Sequence, residues 1–309
     1  MPVMTLYRLT LRLTAPLGTP LAGPTLFGQL CWIKRERDGE AALNAWLADP
    51  VRIWRVSDGF AHGFLPKPLC HPRPLPAVQV KDHKERKKKS MVCRKAWLQH
   101  RKNWDEYKVD DGDFAKDEGK PRRIAHNTVD RYGRGTAEEG GLFFMEEDWR
   151  HSHRHSSRVD VYIESADTKQ EVHKLVAELG ATGFGRDAST GRGRWVVESA
   201  KEDQDLASGP GKRRMSLSRG ILTPETMRDA LWRLIPHFGR TGPQLSLAGV
   251  SAFKRPALLI RPGATFTPAG NGPFGAWKTG LHPERPEIGI NGLHVAVPFD
   301  EAMSGEAHP

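Results

Sequence analysis

Disulfide chemistry has little raw material in this chain. Three cysteines, Cys31, Cys70 and Cys93, stand among 309 residues. They cannot all pair with one another, so a cross-linked extracellular scaffold is not expected and a reducing cytoplasm fits. Long apolar runs are missing as well: none approaches the roughly 18 residues of a membrane-spanning helix. The N-terminal stretch has no basic segment followed by an apolar core, so secretion is not expected. No Gly-x-x-x-x-Gly-Lys-Ser/Thr string occurs, which argues against the phosphate loop of nucleotide hydrolases. No pair of cysteines has C-x2–4-C spacing, so Cys70, His71, His83 and Cys93 lack the anchor of a zinc site. No metal or other cofactor is expected.

Acidic residues are in the minority, 37 against 47 Lys and Arg, giving a net charge of +10 and a pI of about 9.6. That balance points to a polyanionic partner, nucleic acid before membrane. Hydrophobic content of 38% and charged content of 27% suit a soluble globular protein long enough for two domains.

The most informative stretch is Gly183-Phe184-Gly185-Arg186-Asp187-Ala188-Ser189-Thr190-Gly191-Arg192-Gly193. Four glycines frame it, and glycine permits positive φ and close approach of a phosphate. Successive amides in such turns can form an anion-binding nest. Upstream, Val172, Leu175, Val176 and Leu179 recur at i, i+3, i+4, i+7, with Asp167 as N-cap and Gln170 at the capping-box position. Downstream, 194–198 reads as a strand. The order is helix, glycine loop, strand, whereas a dinucleotide fingerprint follows a strand and opens a helix. A flexible surface linker is the bland alternative, set against flanking elements this regular.

Residues 3–14 alternate as a first strand with one apolar face. Pro24 starts a helix whose buried face carries Leu26, Phe27, Leu30 and Ile33, and 40–47 continues as a second helical piece. Strands are expected at 51–56, 63–69, 142–146 and 159–164. Between Lys81 and Lys102 lie ten Lys/Arg against Asp82 and Glu85, a net of +8, with Trp97, Trp104 and Tyr107 interleaved or adjacent. Residues 79–125 therefore read as a basic insertion, partly disordered until it meets a partner. Ammonium and guanidinium groups suit phosphate and rings suit bases, which marks Lys84, Lys87, Lys88, Lys89, Arg94, Lys95 and Trp97 as candidate RNA contacts. A solvated charged excursion is the alternative.

The first unit, 1–200, thus reads β-α-β-β-α-β, the ferredoxin-like pattern, in an α+β fold. A polar stretch from Lys201 to Gly211 is a natural boundary. The second unit, 201–309, reads as a degenerate ferredoxin-like copy. It has a helix started by Thr223 and Pro224 with Met227, Leu231, Leu234, Ile235 and Phe238 as its stripe, and strands at 257–266 and 288–299.

Several strings agree with one family. Gly23–Trp32, Ser57–Phe60 with Phe64–Leu69, His126-Asn127-Thr128-Val129-Asp130-Arg131 with Gly140–Phe143, and Ile288–Gly292 with Val295–Pro298 stand in the order of RAMP-superfamily motifs, and the glycine loop after the second helix joins them. Together they most resemble subunit four of the type III-A (Csm) CRISPR effector complex. The resemblance implies a non-catalytic RNA-binding subunit. Such a subunit grips the repeat-derived 5′ tag of the CRISPR RNA, docks the large signalling subunit and the backbone RAMP subunit, and meets target RNA near the tag through a thumb, here 79–125. The tag is expected across the first sheet and under the glycine loop. Arg186, Ser189, Thr190 and Arg192 would be on phosphate or 2′-OH groups, with His126, Asn127, Asp130 and Arg131 beside bases. Phe27 and Trp32 fall in the opening motif, but at helical spacing they suit a core better than a base platform. A RAMP endoribonuclease that processes precursor RNA is the alternative, with His126 or the His151, His153, His155 loop as candidate bases.

Overall fold

The computed structural model describes residues 3–49, 51–72, 83–116, 122–128, 141–149, 157–209, 211–242 and 249–302. β1 (Thr5–Leu13) alternates as its sequence expects: Tyr7, Leu9, Leu11 and Leu13 line one core. α1 (Gly23–Asp38) starts with Pro24 in its first turn and buries Leu26, Phe27, Leu30 and Ile33 against that face. Gly39, at φ 89°, closes it and donates its N–H to Arg35 O at 2.9 Å. α2 (Glu40–Ala48) adds Trp46. Of the strand expected at 51–56 only β2 (Arg55–Val56) forms, although Ile53 and Trp54 are buried.

Two short strands follow, β3 (Phe60–Ala61) and β4 (Phe64–Pro66). Then come α3 (His83–Lys88), β5 (Met91–Cys93), α4 (Arg94–His100) and β6 (Phe114–Ala115). β4, β5 and β6 make a small antiparallel sheet. This region corrects the expectation of an insertion waiting for a partner. Met91, Val92, Trp97, Trp104 and Phe114 are buried in one cluster, with the Trp97 and Trp104 ring centroids 5.0 Å apart. The tryptophans that suggested base stacking are the core of a folded subdomain.

The chain then makes a two-stranded ribbon, β7 (Arg122–Asn127) and β8 (Leu142–Glu147), and returns as β9 (Arg158–Ser165), α5 (Lys169–Thr182) and β10 (Trp195–Glu202). The main sheet has the order β10-β1-β9-β2, with antiparallel neighbours, and β3 also pairs with β9. α5 buries Val172, Leu175, Val176 and Leu179, as their spacing requires. Its N-cap is Thr168, whose hydroxyl accepts from Glu171 N–H, and not Asp167. Asp167 instead accepts from Trp54 Nε1 at 2.6 Å.

After a short α6 (Gln204–Ala207) every element among the described residues of the second half is a strand. Its members are β11 (Arg213–Ser216), β12 (Met227–Leu231), β13 (Leu234–His237), β14 (Ala257–Ile260), β15 (Thr265–Pro268), β16 (Gly275–Lys278), β17 (Ile290–Leu293) and β18 (Ala296–Phe299). Four of them form a sheet in the order β12-β15-β11-β18, and β13-β14 and β16-β17 are separate ribbons. The helix expected through 227–238 is therefore absent; β12 and β13 occupy it. Pro236 explains much of this, because a proline inside a helix loses one hydrogen bond and clashes with the preceding turn. In β13 it pairs opposite Leu258 without difficulty.

The two halves meet on the face of the main sheet away from α1 and α5, and again where β16 and β17 pack on α1, the Trp277 ring 5.8 Å from that of Phe27. On the sheet face Leu6, Phe60 and Tyr162 pack with Met215, Leu217, Val295, Val297 and Phe299, and with Trp97 and Trp104. β1 keeps its one apolar face, Tyr7, Leu9, Leu11 and Leu13, while Leu6 alone joins this second core from the face it shares with Arg8, Thr10 and Arg12. The expected path for RNA across this sheet is closed wherever the second half lies on it, while Arg12 and Arg158 at the opposite end remain about half exposed. Asp58 joins the halves: it accepts from the Gly23 amide at 2.9 Å and from Arg219 Nε at 2.6 Å.

Candidate nucleic-acid interface

The glycine loop is built as its spacing implies. Gly183, Gly185, Gly191 and Gly193 have φ of 106°, 78°, 94° and 67°, and Asp187 joins them at 64°. The loop closes on itself: Phe184 N–H donates to Gly193 O at 2.9 Å, and Arg192 N–H to Asp187 O at 3.1 Å. It is also tied to the body. Gly193 N–H donates to Pro16 O at 2.8 Å, Arg186 N–H to Thr19 Oγ1 at 2.9 Å, and Gly185 N–H to Gln29 Oε1 at 3.2 Å. This is a rigid hairpin-like clasp, not a linker.

Its side chains divide in two. Arg186, Ser189 and Thr190 are exposed. Phe184 is fully buried, its ring 5.8 Å from that of Trp195, and has no surface to offer a base. Arg192 is buried too. It donates to Glu147 Oε1 at 3.0 Å and to Glu146 O at 3.2 Å, and its Nη2 lies 3.4 Å from His126 Nε2. The expectation that Arg192 holds phosphate is corrected: its charge is engaged by Glu147, and it locks the loop to the β7–β8 ribbon.

That ribbon is the element that stands out from the cores. Ile124, Leu142, Phe143 and Phe144 are exposed at 38%, 64%, 42% and 56%, beyond what stray surface residues on one short ribbon would give. His126 stacks on Phe143, centroids 5.5 Å apart and planes 18° from parallel. The Arg123 guanidinium lies 5.0 Å from the Phe144 centroid. Asn127, opposite Leu142, is exposed at the end of β7. Asp130, Arg131 and the His151, His153, His155 loop lie outside the described residues. The motif strings His126–Arg131 and Gly140–Phe143 include Leu142 and Phe143 but leave out Ile124 and Phe144; the sequence signal for an exposed face is the unalternated Leu142-Phe143-Phe144-Met145 run. An apolar run without a polar alternate in an unpartnered ribbon leaves aromatic surface in solvent.

Among the basic candidates, Lys84, Lys87, Lys88 and Lys95 are exposed. Lys89 reaches Asp111 O at 2.8 Å, and Arg94 is spent on the buried carboxylate of Asp203. Trp97 has no exposed surface and is removed from the interface. Phe27 is core, its ring 5.2 Å from Trp46. His62, also missed, is held through Nδ1 by the buried Asp160 at 2.9 Å; Asp160 accepts as well from Thr10 and the Gly63 amide, which together keep its carboxyl below the usual range against the opposing pull of burial. Among the described residues no group of three His, Cys, Asp or Glu is placed to hold a metal ion, and no helix is long and apolar enough to cross a membrane.

No family model and no curated protein sequence matches the chain. Solved structures do. A chain of the Csm1-Csm4 cassette in complex with pppApA superposes with a TM-score of 0.56 at 17% identity, covering 96% of this chain and 98% of that one. A chain of the Csm3-Csm4 subcomplex of the type III-A CRISPR-Cas interference complex gives 0.55 at 14%, over 96% and 99%. Csm4 is the component common to both assemblies. The chain has the Csm4 fold. The likeness runs through both halves, so the second, strand-rich half belongs to the Csm4 fold as much as the first.

Proposed function

We propose that the chain is a non-catalytic RNA-binding assembly subunit of a cytoplasmic type III-A CRISPR ribonucleoprotein. It caps the repeat-derived 5′ tag of the CRISPR RNA, docks the large signalling subunit and the backbone RAMP subunit, and helps recognise target RNA near the tag in antiviral defence. The observation that carries this reading is the near full-length likeness to chains from two assemblies that share Csm4. The β10-β1-β9-β2 order supports a ferredoxin-like first unit ending near residue 200, with the four-stranded sheet of the second half as its degenerate counterpart.

The interface is redrawn from the geometry. Arg186, Ser189 and Thr190 on the clasp face the phosphates and 2′-OH groups of a single strand. His126, Phe143 and Phe144 offer rings to unstacked bases, and Arg123 adds charge beside them. The ribbon, not the 83–116 subdomain, takes the thumb's place at the target. Lys84, Lys87, Lys88 and Lys95 form a cationic apron that attracts RNA by charge.

The test is co-purification of the tagged protein from cells expressing its neighbouring genes, with sequencing of the bound RNA. Short RNAs sharing one 5′ repeat-derived tag and differing downstream are expected. Heterogeneous RNA, or none, overturns the tag-capping reading. Cleavage of repeat RNA by the purified chain alone would replace it with the endoribonuclease alternative.

A further inference from the structure

A second glycine-rich loop overhangs a cavity that the clasp-and-ribbon interface does not use. The cavity, about 190 Å³, lies on the seam between the halves. Its walls are Arg55 of β2, Glu164 of β9, Arg214 of β11, Phe274 and His294, with Asn271 on its rim. It is smaller than the about 300 Å³ at which ordinary ligand pockets begin. It therefore admits a small group and leaves the rest of a larger molecule outside.

Its charges are unevenly matched. Arg55 Nη1 donates to Glu164 Oε1 at 2.6 Å, so that pair is balanced, yet Arg55 Nε is buried without a hydrogen-bond partner in a residue only 9% exposed. Arg214 is half-buried and has no side-chain hydrogen bond or ion pair among the described residues. Burial holds its pKa below the usual guanidinium value, with the Glu164 charge acting against it. One net positive charge is left facing the cavity. Both ring nitrogens of His294 are engaged, Nδ1 at 2.7 Å from Ser216 Oγ and Nε2 at 3.0 Å from Ile221 O, so the imidazole serves as wall.

The loop supplies neutral donors. Gly270, Gly272 and Gly275 have φ of 106°, 86° and 80°. The amides of Gly270, Asn271 and Gly272, and the Asn271 side chain, make no hydrogen bond within the described residues. Backbone amides in positive-φ turns beside an unpaired guanidinium are the donor set of an oxyanion site.

We propose that this cavity binds a phosphate group, carried by an RNA strand or by a free mononucleotide. The negative charge of a phosphate complements the one unmatched guanidinium, and the cavity's size selects the phosphate rather than the base. The RNA source rests on the function proposed above; the mononucleotide source does not.

The test uses the purified full chain. Inorganic phosphate and AMP are titrated by ³¹P NMR, and a labelled single-stranded RNA octamer by anisotropy at fixed salt. The variants are Arg214→Gln and Asn271→Asp. Asn271 is exposed, so Asn271→Asp keeps the test open if Arg214→Gln does not fold. Binding of phosphate and AMP to the wild type is expected to fall about tenfold in Arg214→Gln and in Asn271→Asp, the loss of one charge-assisted bond. A parallel fall in RNA affinity assigns the phosphate to RNA; unchanged RNA affinity assigns it to a mononucleotide. If RNA binds no form of the protein while AMP binding still depends on Arg214, the RNA reading fails and the cavity site stands. Absent phosphate and AMP binding, or binding indifferent to both cavity substitutions, overturns the proposal.

Discussion

Arg192, the last side chain of the glycine clasp, donates from Nη2 to Glu147 Oε1 at 3.0 Å, with both side chains largely buried at 8% and 15% exposure. One ion pair thus fixes the glycine clasp to the aromatic ribbon. Glu147→Gln and Arg192→Gln should each destabilise the fold by about 1–3 kcal/mol and weaken RNA binding together, because both parts of the interface lose their mutual position. A double-mutant cycle on denaturation midpoints checks this. Additive effects would mean that the pair couples nothing.

The clasp glycines should not be equivalent. A Cβ on Gly191 meets nothing within 4 Å, so Gly191→Ala carries only the left-handed backbone penalty of about 1–2 kcal/mol. A Cβ on Gly193 would lie 2.0 Å from Phe184 O, across the hydrogen bond that closes the loop. Gly193→Ala is expected to cost about 3 kcal/mol or more. Equal midpoints in urea would refute the closed-clasp geometry.

Two aromatic substitutions separate interface from core. Phe144→Ala should leave stability nearly unchanged and weaken single-stranded RNA binding by about 1–3 kcal/mol. Trp97→Ala should instead destabilise by about 3–5 kcal/mol, since its ring packs on Trp104 and Phe299. Paired unfolding and anisotropy measurements decide; a large affinity loss for a stably folded Trp97→Ala would reinstate it as an RNA contact.

Charge should speak through salt. Replacing Lys84, Lys87, Lys88 and Lys95 with Gln is expected to flatten the slope of log affinity against log salt by about 0.7 for each lysine on a phosphate. An unaltered slope removes the apron from the RNA path.

Stability should fall with mild acid. Burial pushes His294 from 6.5 down to about 4, against its backbone hydrogen bonds, and burial followed by the Arg219 charge does the same to His237. A folded-state value below the unfolded one means that the unfolded chain takes the proton first. The stability is complete above pH 6.5 and is lost as the pH falls towards 4, by about 3 kcal/mol for each histidine. Denaturation midpoints at pH 7 and about pH 4.5 read this directly. His237→Gln should recover part of the loss; a flat wild-type profile would show the histidines to be solvated.

Local structure was legible where one residue type has one physical use. The four glycines needed positive φ and have it; the 172–179 spacing needed a buried helix stripe and has one. Legibility failed where a side chain has two uses. Trp97 and Phe184 suit a base or a core equally well, and only their neighbours, Phe299 and Trp195, decide for core. Met227, Leu231, Leu234 and Ile235 satisfy a helical period, yet strand pairing with β14 and β15 prevails over a short helix interrupted by Pro236.

From its own order of residues the chain determined its net positive charge, the strand β1, the helices α1 and α5, and the clasp's backbone. These depend on composition and on neighbours a few positions apart. Which charges are buried was decided by tertiary structure alone. Arg192, Arg94 and Arg186 look alike in sequence, but folding brings Glu147 to the first and Asp203 to the second, and leaves the third exposed, paired at 3.4 Å with its sequence neighbour Asp187. An ion pair forms between residues that the fold places a few ångströms apart, whatever their separation along the chain.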